Sequence, residues 1–264
     1  MKRLMYFLIP LMVLGIVSCN KTEDTPTPTP TPDPTPTTPT PPSPSVEGVY
    51  GAFVSLVMSY TTTQVGVPVS LNTEIGLAAI YQDAWSATGT NTLIDAGTIK
   101  VNSNALDKNA NNSYSKTATV GQTPSDLGFS SGVNWTVSGN ANFPAVNRNL
   151  TNNAPDYTGT VPETVTRTSD LTLTFNASNT PYADSVYVML ITGDKNILKR
   201  YKATAGSVTI PASELSALDA TSTSAPGYIE VCPWNVQFYT EGTTTSKTCA
   251  YVREKAIVKS ITVN

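Results

Sequence analysis

Leu171-Thr172-Leu173-Thr174-Phe175, then Ser185-Val186-Tyr187-Val188-Met189-Leu190-Ile191-Thr192, then Ile197 to Ala203 beyond the turn Gly193-Asp194-Lys195-Asn196: this stretch decides the fold. The first run alternates apolar residues with threonine, the period of a half-buried strand. The second is more fully apolar, as a strand at the centre of a sheet would be. The tight turn that follows predicts a hairpin with the third.

Working outward, Val208 to Ile210 reads as a short strand and Pro211 to Leu218 as the one good helical turn. Tyr228 to Val231, Val236 to Tyr239, Thr248 to Arg253 and Ile257 to Val263 read as four closing strands. Toward the N-terminus the same pattern marks Val49 to Tyr60, Val67 to Leu71, Ile75 to Tyr81, Leu93 to Val101, Tyr114 to Val120, Leu127 to Phe129 and Val133 to Val137. A loop from Asn147 to Pro162, poor in apolar residues, separates the two sets. Short strands between Gly/Asn turns, about seven in each roughly 100 residues, predict an all-β protein of two β-sandwich domains, 46–150 and 151–264. One continuous sandwich is the alternative. The second domain resembles the immunoglobulin-like modules of bacterial surface proteins, in architecture rather than in any diagnostic motif.

The N-terminus is of another kind. Lys2 and Arg3 precede an apolar run, Leu4 to Val17, too short for a permanent membrane span but suited to a signal peptide over residues 1–18. Ile16-Val17-Ser18-Cys19 resembles a bacterial lipobox, which implies cleavage before Cys19 and acylation of its thiol and new amino terminus. At about 0.8 kcal/mol per buried CH₂, two or more acyl chains make a stable anchor. Residues 19–24 carry Lys21, Glu23 and Asp24, similar to the export signal of surface lipoproteins in Bacteroidota. That resemblance implies an outer-membrane lipoprotein facing the medium; a periplasm-facing anchor is the alternative. Residues 25–45 hold ten of the chain's twenty prolines and almost no apolar side chains, so they predict a disordered, polyproline-like stalk of roughly 60 Å.

Composition narrows the function. Charged residues are 13% of the chain, and loss of Lys2 and Arg3 with the signal takes the formal charge from −3 to −5. A mildly acidic chain without basic clusters argues against nucleic acid. With no histidine anywhere, a Ser-His-Asp triad, a Cys-His pair and histidine-based metal sites are excluded. Two carboxylates suffice for glycoside hydrolysis; of the acids, Asp83, Asp95, Asp184 and Glu230 lie nearest apolar runs, and each reads as a turn or strand-end residue. Cys232 and Cys249, in an oxidising compartment, are expected to form a disulfide. Asp107, Asn109 and Asn111 resemble the first half of a calcium loop, but Asn112 replaces the glycine and Ala118 stands where the bidentate glutamate belongs. Of the tryptophans, Trp85 sits in a polar context and is the candidate platform for a sugar ring. Trp135 alternates with Val133 and Val137 as a core residue, and Trp234 is expected to pack on the disulfide. Asp184-Ser185-Val186 fits the acid-hydroxyl-aliphatic O-glycosylation triplet reported for Bacteroidota.

These readings lead to a non-enzymatic, lipid-tethered surface protein without a bound cofactor, whose sandwich domains bind an extracellular ligand, a glycan first. The alternatives are a structural or adhesive protein assembling with protein partners, and a carboxylate-dependent glycoside hydrolase.

Overall fold

The computed structural model describes residues 46–64, 67–119, 127–222 and 226–264. The signal peptide, Cys19, Lys21, Glu23, Asp24 and the stalk lie outside them. The strands are β1 (Gly51–Gln64), β2 (Val67–Ile80), β3 (Ile99–Val101), β4 (Asn104–Ala105), β5 (Asp107–Lys108), β6 (Tyr114–Thr117), β7 (Val133–Val137), β8 (Val146–Leu150), β9 (Thr164–Val165), β10 (Leu171–Phe175), β11 (Ser185–Thr192), β12 (Lys195–Lys202), β13 (Gly206–Ile210), β14 (Gly227–Glu241) and β15 (Lys247–Val263). A 3₁₀ turn, Phe129–Ser131, and one α-helical turn, Ala212–Leu215, complete the elements. The all-β expectation holds.

Nine strands form one large sheet, in the order β12-β11-β14-β15-β1-β2-β6-β5 with β9 beside β15. It is antiparallel except where β15 meets β1 and β9. Two small sheets, β4-β3-β7-β8 and β10-β13, stand apart. The expected hairpin of residues 185–203 is present, with Ser185 opposite Lys202 and Thr192 opposite Lys195.

The long strands depart from expectation. Tyr228 to Val231 and Val236 to Tyr239 are halves of β14, and Thr248 to Arg253 and Ile257 to Val263 are halves of β15. Pro233 stands between the halves of β14, where the ladder to β15 is interrupted between the pairs Val231–Ile257 and Trp234–Glu254, so its missing N–H costs no bond there. β15 passes through the charged run Arg253-Glu254-Lys255 without a break. Leu127 to Phe129, expected as strand, is instead a 3₁₀ turn entered through Gly128 at φ 68°.

Two hydrophobic cores lie against one face of the large sheet. The first gathers Phe53, Ile80, Ile99, Val101, Trp135 and Tyr251, with Phe53 stacked on Tyr251 at 4.8 Å. The second gathers Phe175, Val188, Leu190, Ile210, Leu215, Ile229 and Ile261 under β10, β13 and the helical turn. The expected boundary near residue 150 falls between these cores, but β15 contributes to both, through Cys249 and Tyr251 to one and Ile261 and Val263 to the other. The described residues accordingly form one compact unit.

The charged side chains Arg253, Glu74 and Glu241 on the core face are buried but partnered, as burial requires. Arg253 donates to the carbonyls of Asn152 (2.6 Å) and Phe129 (3.5 Å), and both Glu74 oxygens accept the Phe129 N–H at 3.1 Å. Glu241 takes Arg148 Nε at 2.9 Å, Nη2 at 3.2 Å and the Tyr251 hydroxyl at 2.8 Å.

The expected disulfide is absent. Cys232 and Cys249 are both buried free thiols. Cys249 faces Tyr239 across the β14–β15 ladder, and Cys232 lies seven positions further along β14, the difference between 239 and 232. At about 3.3 Å per residue that is roughly 23 Å, against the usual disulfide Cα separation of about 5.5–6 Å. Two cysteines on neighbouring strands cannot be bridged when the hairpin register sets them so far apart.

Candidate interaction surfaces

The register fixes what the large sheet presents on its other face. One row across it runs Leu198, Met189, Glu230, Val258, Tyr60, Leu71. Another runs Lys202, Ser185, Trp234, Glu254, Leu56, Ile75. Val236, Val252, Val54 and Leu77 form a third, and Phe238, Ala250, Ala52 and Ala79 a fourth. A solvent-facing sheet surface normally alternates to polar residues; this one stays apolar, which is why β11 reads as a central strand. Its middle is buried (Cys232 1% exposed, Val54 1%, Ala256 2%), whereas its margins are open: Leu198 is 45% exposed, Leu71 43% and Phe238 43%. None of these residues belongs to either hydrophobic core. Trp234 stacks on Tyr187 at 5.6 Å and 12°, with Arg200 over the same tyrosine ring at 4.9 Å.

Two carboxylates sit within this apolar field. Burial pushes the Glu230 carboxyl up to about 7. Burial, and then the charge of Glu230, pushes Glu254 to about 7 as well. Cys232 lies between them on β14; burial, then Glu254 and Glu230, drives its thiol well above the usual range. Asp95, by contrast, is an exposed carboxylate held down to about 2 by Lys108 at 2.6 Å, the Gly97 N–H and the Tyr114 hydroxyl.

A second feature lies where loops meet at the hairpin end of β14 and β15. A cleft of about 430 Å³ is lined by Asn140, Asn142, Phe143, Pro144 and the segment Gly242 to Thr245. Two glycines close its walls. Gly139 (φ 73°) would place a Cβ 2.5 Å from the Ala145 nitrogen, and Gly242 (φ 84°) one 2.5 Å from the Thr245 carbonyl oxygen. Only a residue without a side chain fits either position. The lining is amide and hydroxyl, with Phe143 buried beneath it.

The sequence-derived candidates scatter over the molecule. Trp85 is in a loop as expected, but half-buried and tied to the N-terminal segment: its N–H donates to Val49 O (2.8 Å) and its carbonyl accepts the Gly48 N–H (2.9 Å). The more open aromatic ring is Tyr182, 62% exposed at φ 61°, whose carbonyl is held by Asn235 Nδ2 at 2.7 Å. Nothing in Thr180-Pro181-Tyr182 signalled it, because exposure there depends on Asn235 of a distant strand. Trp135 is a core residue, as read; Trp234 packs on Tyr187 rather than on a disulfide. Asp107, Asn109 and Asn111 build the β5–β6 turn. Asn111 Oδ1 accepts the Ser113 N–H (3.1 Å) and hydroxyl (2.7 Å), Asn109 Nδ2 donates to Ser113 Oγ (3.0 Å), and Asp107 pairs with Lys116 at 3.5 Å. Asp83 is exposed in a bend, and Asp184 Oδ2 accepts the Val236 N–H at 3.0 Å. Ser185 of the glycosylation triplet is 2% exposed, which leaves its hydroxyl no access for a transferase once the chain is folded. Sequence reasoning named Glu230 but missed Glu254; the signal was an acid in phase with apolar residues of β15, hidden by the charged neighbours Arg253 and Lys255.

No protein-family model, no curated protein and no solved structure matches this chain.

Proposed function

We propose that this is a non-catalytic surface protein, lipid-tethered through Cys19, that meets a protein partner through the exposed apolar margins of the second face of its large sheet. The observation that supports this reading is that face: apolar over four rows, with Leu71, Leu198 and Phe238 at its open margins. Large apolar side chains left exposed on one sheet face mark interaction sites. A purified chain beginning at Asn20 tests it: the face is expected to bind the dye ANS, and Leu198→Glu with Phe238→Glu to reduce that binding severalfold. No dye binding by the parent chain would overturn the reading.

A glycan ligand is the second reading. The loop-end cleft with its amide and hydroxyl lining favours it, together with the open ring of Tyr182, the kind of surface on which a sugar stacks. Glycan-array binding lost in Tyr182→Ala or Trp85→Ala would support it, and an array with no signal would remove it. The hydrolase reading finds no support in the carboxylates: Glu230 and Glu254 stand four residues out of register on neighbouring strands, and neither lines the loop-end cleft.

A further inference from the structure

The edge strand β12 is both basic and open. Its sequence, Lys195-Asn196-Ile197-Leu198-Lys199-Arg200-Tyr201-Lys202, holds four of the chain's sixteen lysines and arginines in 8 residues, with no acid among them. Among the described residues β11 is its only neighbour in the sheet. The two-residue turn Gly193-Asp194 makes Thr192 and Lys195 a hydrogen-bonded pair, so Lys195, Ile197, Lys199 and Tyr201 spend their N–H and C=O on β11. The Ala203 N–H, which donates to Asp184 O at 3.2 Å, keeps the same phase. The N–H and C=O of Asn196 and Leu198 therefore point off the sheet, where no described strand takes them. The side chains divide in the same way. Ile197 and Tyr201 turn inward onto the second core, and Lys199 pairs with Glu214 of the helical turn. Asn196, Leu198, Arg200 and Lys202 share the second face and, unlike the middle of the sheet, all four are exposed.

We infer that β12 receives an extended acidic segment of the protein partner, which adds a strand to this edge of the large sheet. This rests on the proposed use of the apolar margin, to which Leu198 belongs, and names the form in which the partner meets it. Strand addition draws affinity from main-chain hydrogen bonds and specificity from alternate side chains. The alternate positions are set here. An antiparallel strand would carry acids opposite Lys202 and Arg200 and an apolar residue opposite Leu198, in the order acid-any-acid-any-apolar. Opposite charges facing each other across a ladder stabilise it, and like charges do the reverse. A second copy of β12 would gather cations on both sides of one seam, and basic side chains on an edge guard against such self-pairing. An acidic strand meets the same cations with the opposite sign. A polyanionic glycan would answer the charges alone, leaving the outward main-chain groups and Leu198 without a counterpart.

The test is an NMR titration of the chain from Asn20 to Asn264, which contains every described element. The probe is the peptide Glu-Thr-Glu-Thr-Val-Thr-Thr-Thr, with a scrambled peptide of the same composition and dextran sulfate as controls. The ordered peptide is expected to bind and to slow hydrogen exchange at the Leu198 amide. Lys202→Glu, at an exposed position, should weaken it on the order of tenfold, as reversal of a cross-strand charge pair does. Leu198→Pro removes the outward N–H but no bond to β11, a change that edge strands tolerate, and should abolish binding. The unchanged amide spectrum away from β12 checks that both variants fold. No peptide binding up to about 1 mM overturns the docking edge; ANS binding by that chain would leave the apolar margin to a partner of another shape, and no ANS binding would overturn both. Equal binding of the ordered peptide by Leu198→Pro overturns strand addition. Equal binding of the scrambled peptide and dextran sulfate overturns it in favour of a polyanion site.

Discussion

The two faces of the large sheet treat buried charge in opposite ways. On the core face every deeply placed ion has a partner: Glu241 has Arg148 and Tyr251, Glu74 has the Phe129 N–H, and Arg253 has two carbonyls. On the second face no cation among the described residues pairs with Glu230 or Glu254, and burial raises both carboxyls to about 7. Identical strands carry both faces, so the difference lies in what covers them. Two small sheets lie over the first; the residues of the second belong to neither core, although its middle is buried as well. That contrast is the main thing the structure teaches.

Breaking the covered face has the largest expected effect. Glu241→Ala leaves Arg148 and the Tyr251 hydroxyl without their acceptor and should cost about 3–5 kcal/mol in urea unfolding, because a buried charge is left uncompensated. Phe53→Ala removes a ring at the centre of the first core and should cost about 3–5 kcal/mol. A truncation on the open margin, Leu198→Ala, should cost the isolated chain under about 1 kcal/mol, since little surface is lost from water there.

The open face has a pH signature of its own. The folded carboxyls of Glu230 and Glu254 lie above the ordinary glutamate value of about 4.3, so the folded chain holds more protons than the unfolded one between about pH 4.5 and 7. Stability therefore falls as pH rises through that window and levels off above it. Glu230→Gln and Glu254→Gln should each flatten the slope and stabilise the monomer at pH 8 by roughly 1–3 kcal/mol. Urea titrations at pH 5 and pH 8 compare them directly; an unchanged slope in both variants would mean that neither carboxyl is shifted. Asp95 works the other way, its contribution present above about pH 4 and lost as pH falls toward 2.

The smallest effect separates the thiols from a disulfide. Reducing agent should leave the unfolding midpoint where it is, and both Cys232 and Cys249 should titrate as thiols once the chain is unfolded. A disulfide closing that loop would have contributed about 3 kcal/mol.

Strand identity was legible where apolar residues kept period two. β7, β10 and β11 match the runs 133–137, 171–175 and 185–192. Strand length was not, because Pro233 and the charged run 253–255 interrupt the apolar period without ending β14 or β15. That misreading propagated. Shorter strands implied two independent sandwiches and a closer pair of cysteines, whereas β14 and β15 bind both cores into one unit. The open face was hidden for a related reason. An apolar outward residue and an apolar inward one are alike in sequence, and only the register β12-β11-β14-β15-β1-β2 sorts Met189 and Val258 from Leu190 and Ile257. Tyr182 and the loop-end cleft depend on contacts between distant segments, which no local pattern records.

Methionine oxidation tests the contrast between the faces most directly, since Met58 and Met189 both lie on the second one. In the chain beginning at Asn20, brief peroxide treatment followed by mass spectrometry should oxidise both. Met58 and Met189 both resistant would show that the chain covers this face by itself, and would contradict the account.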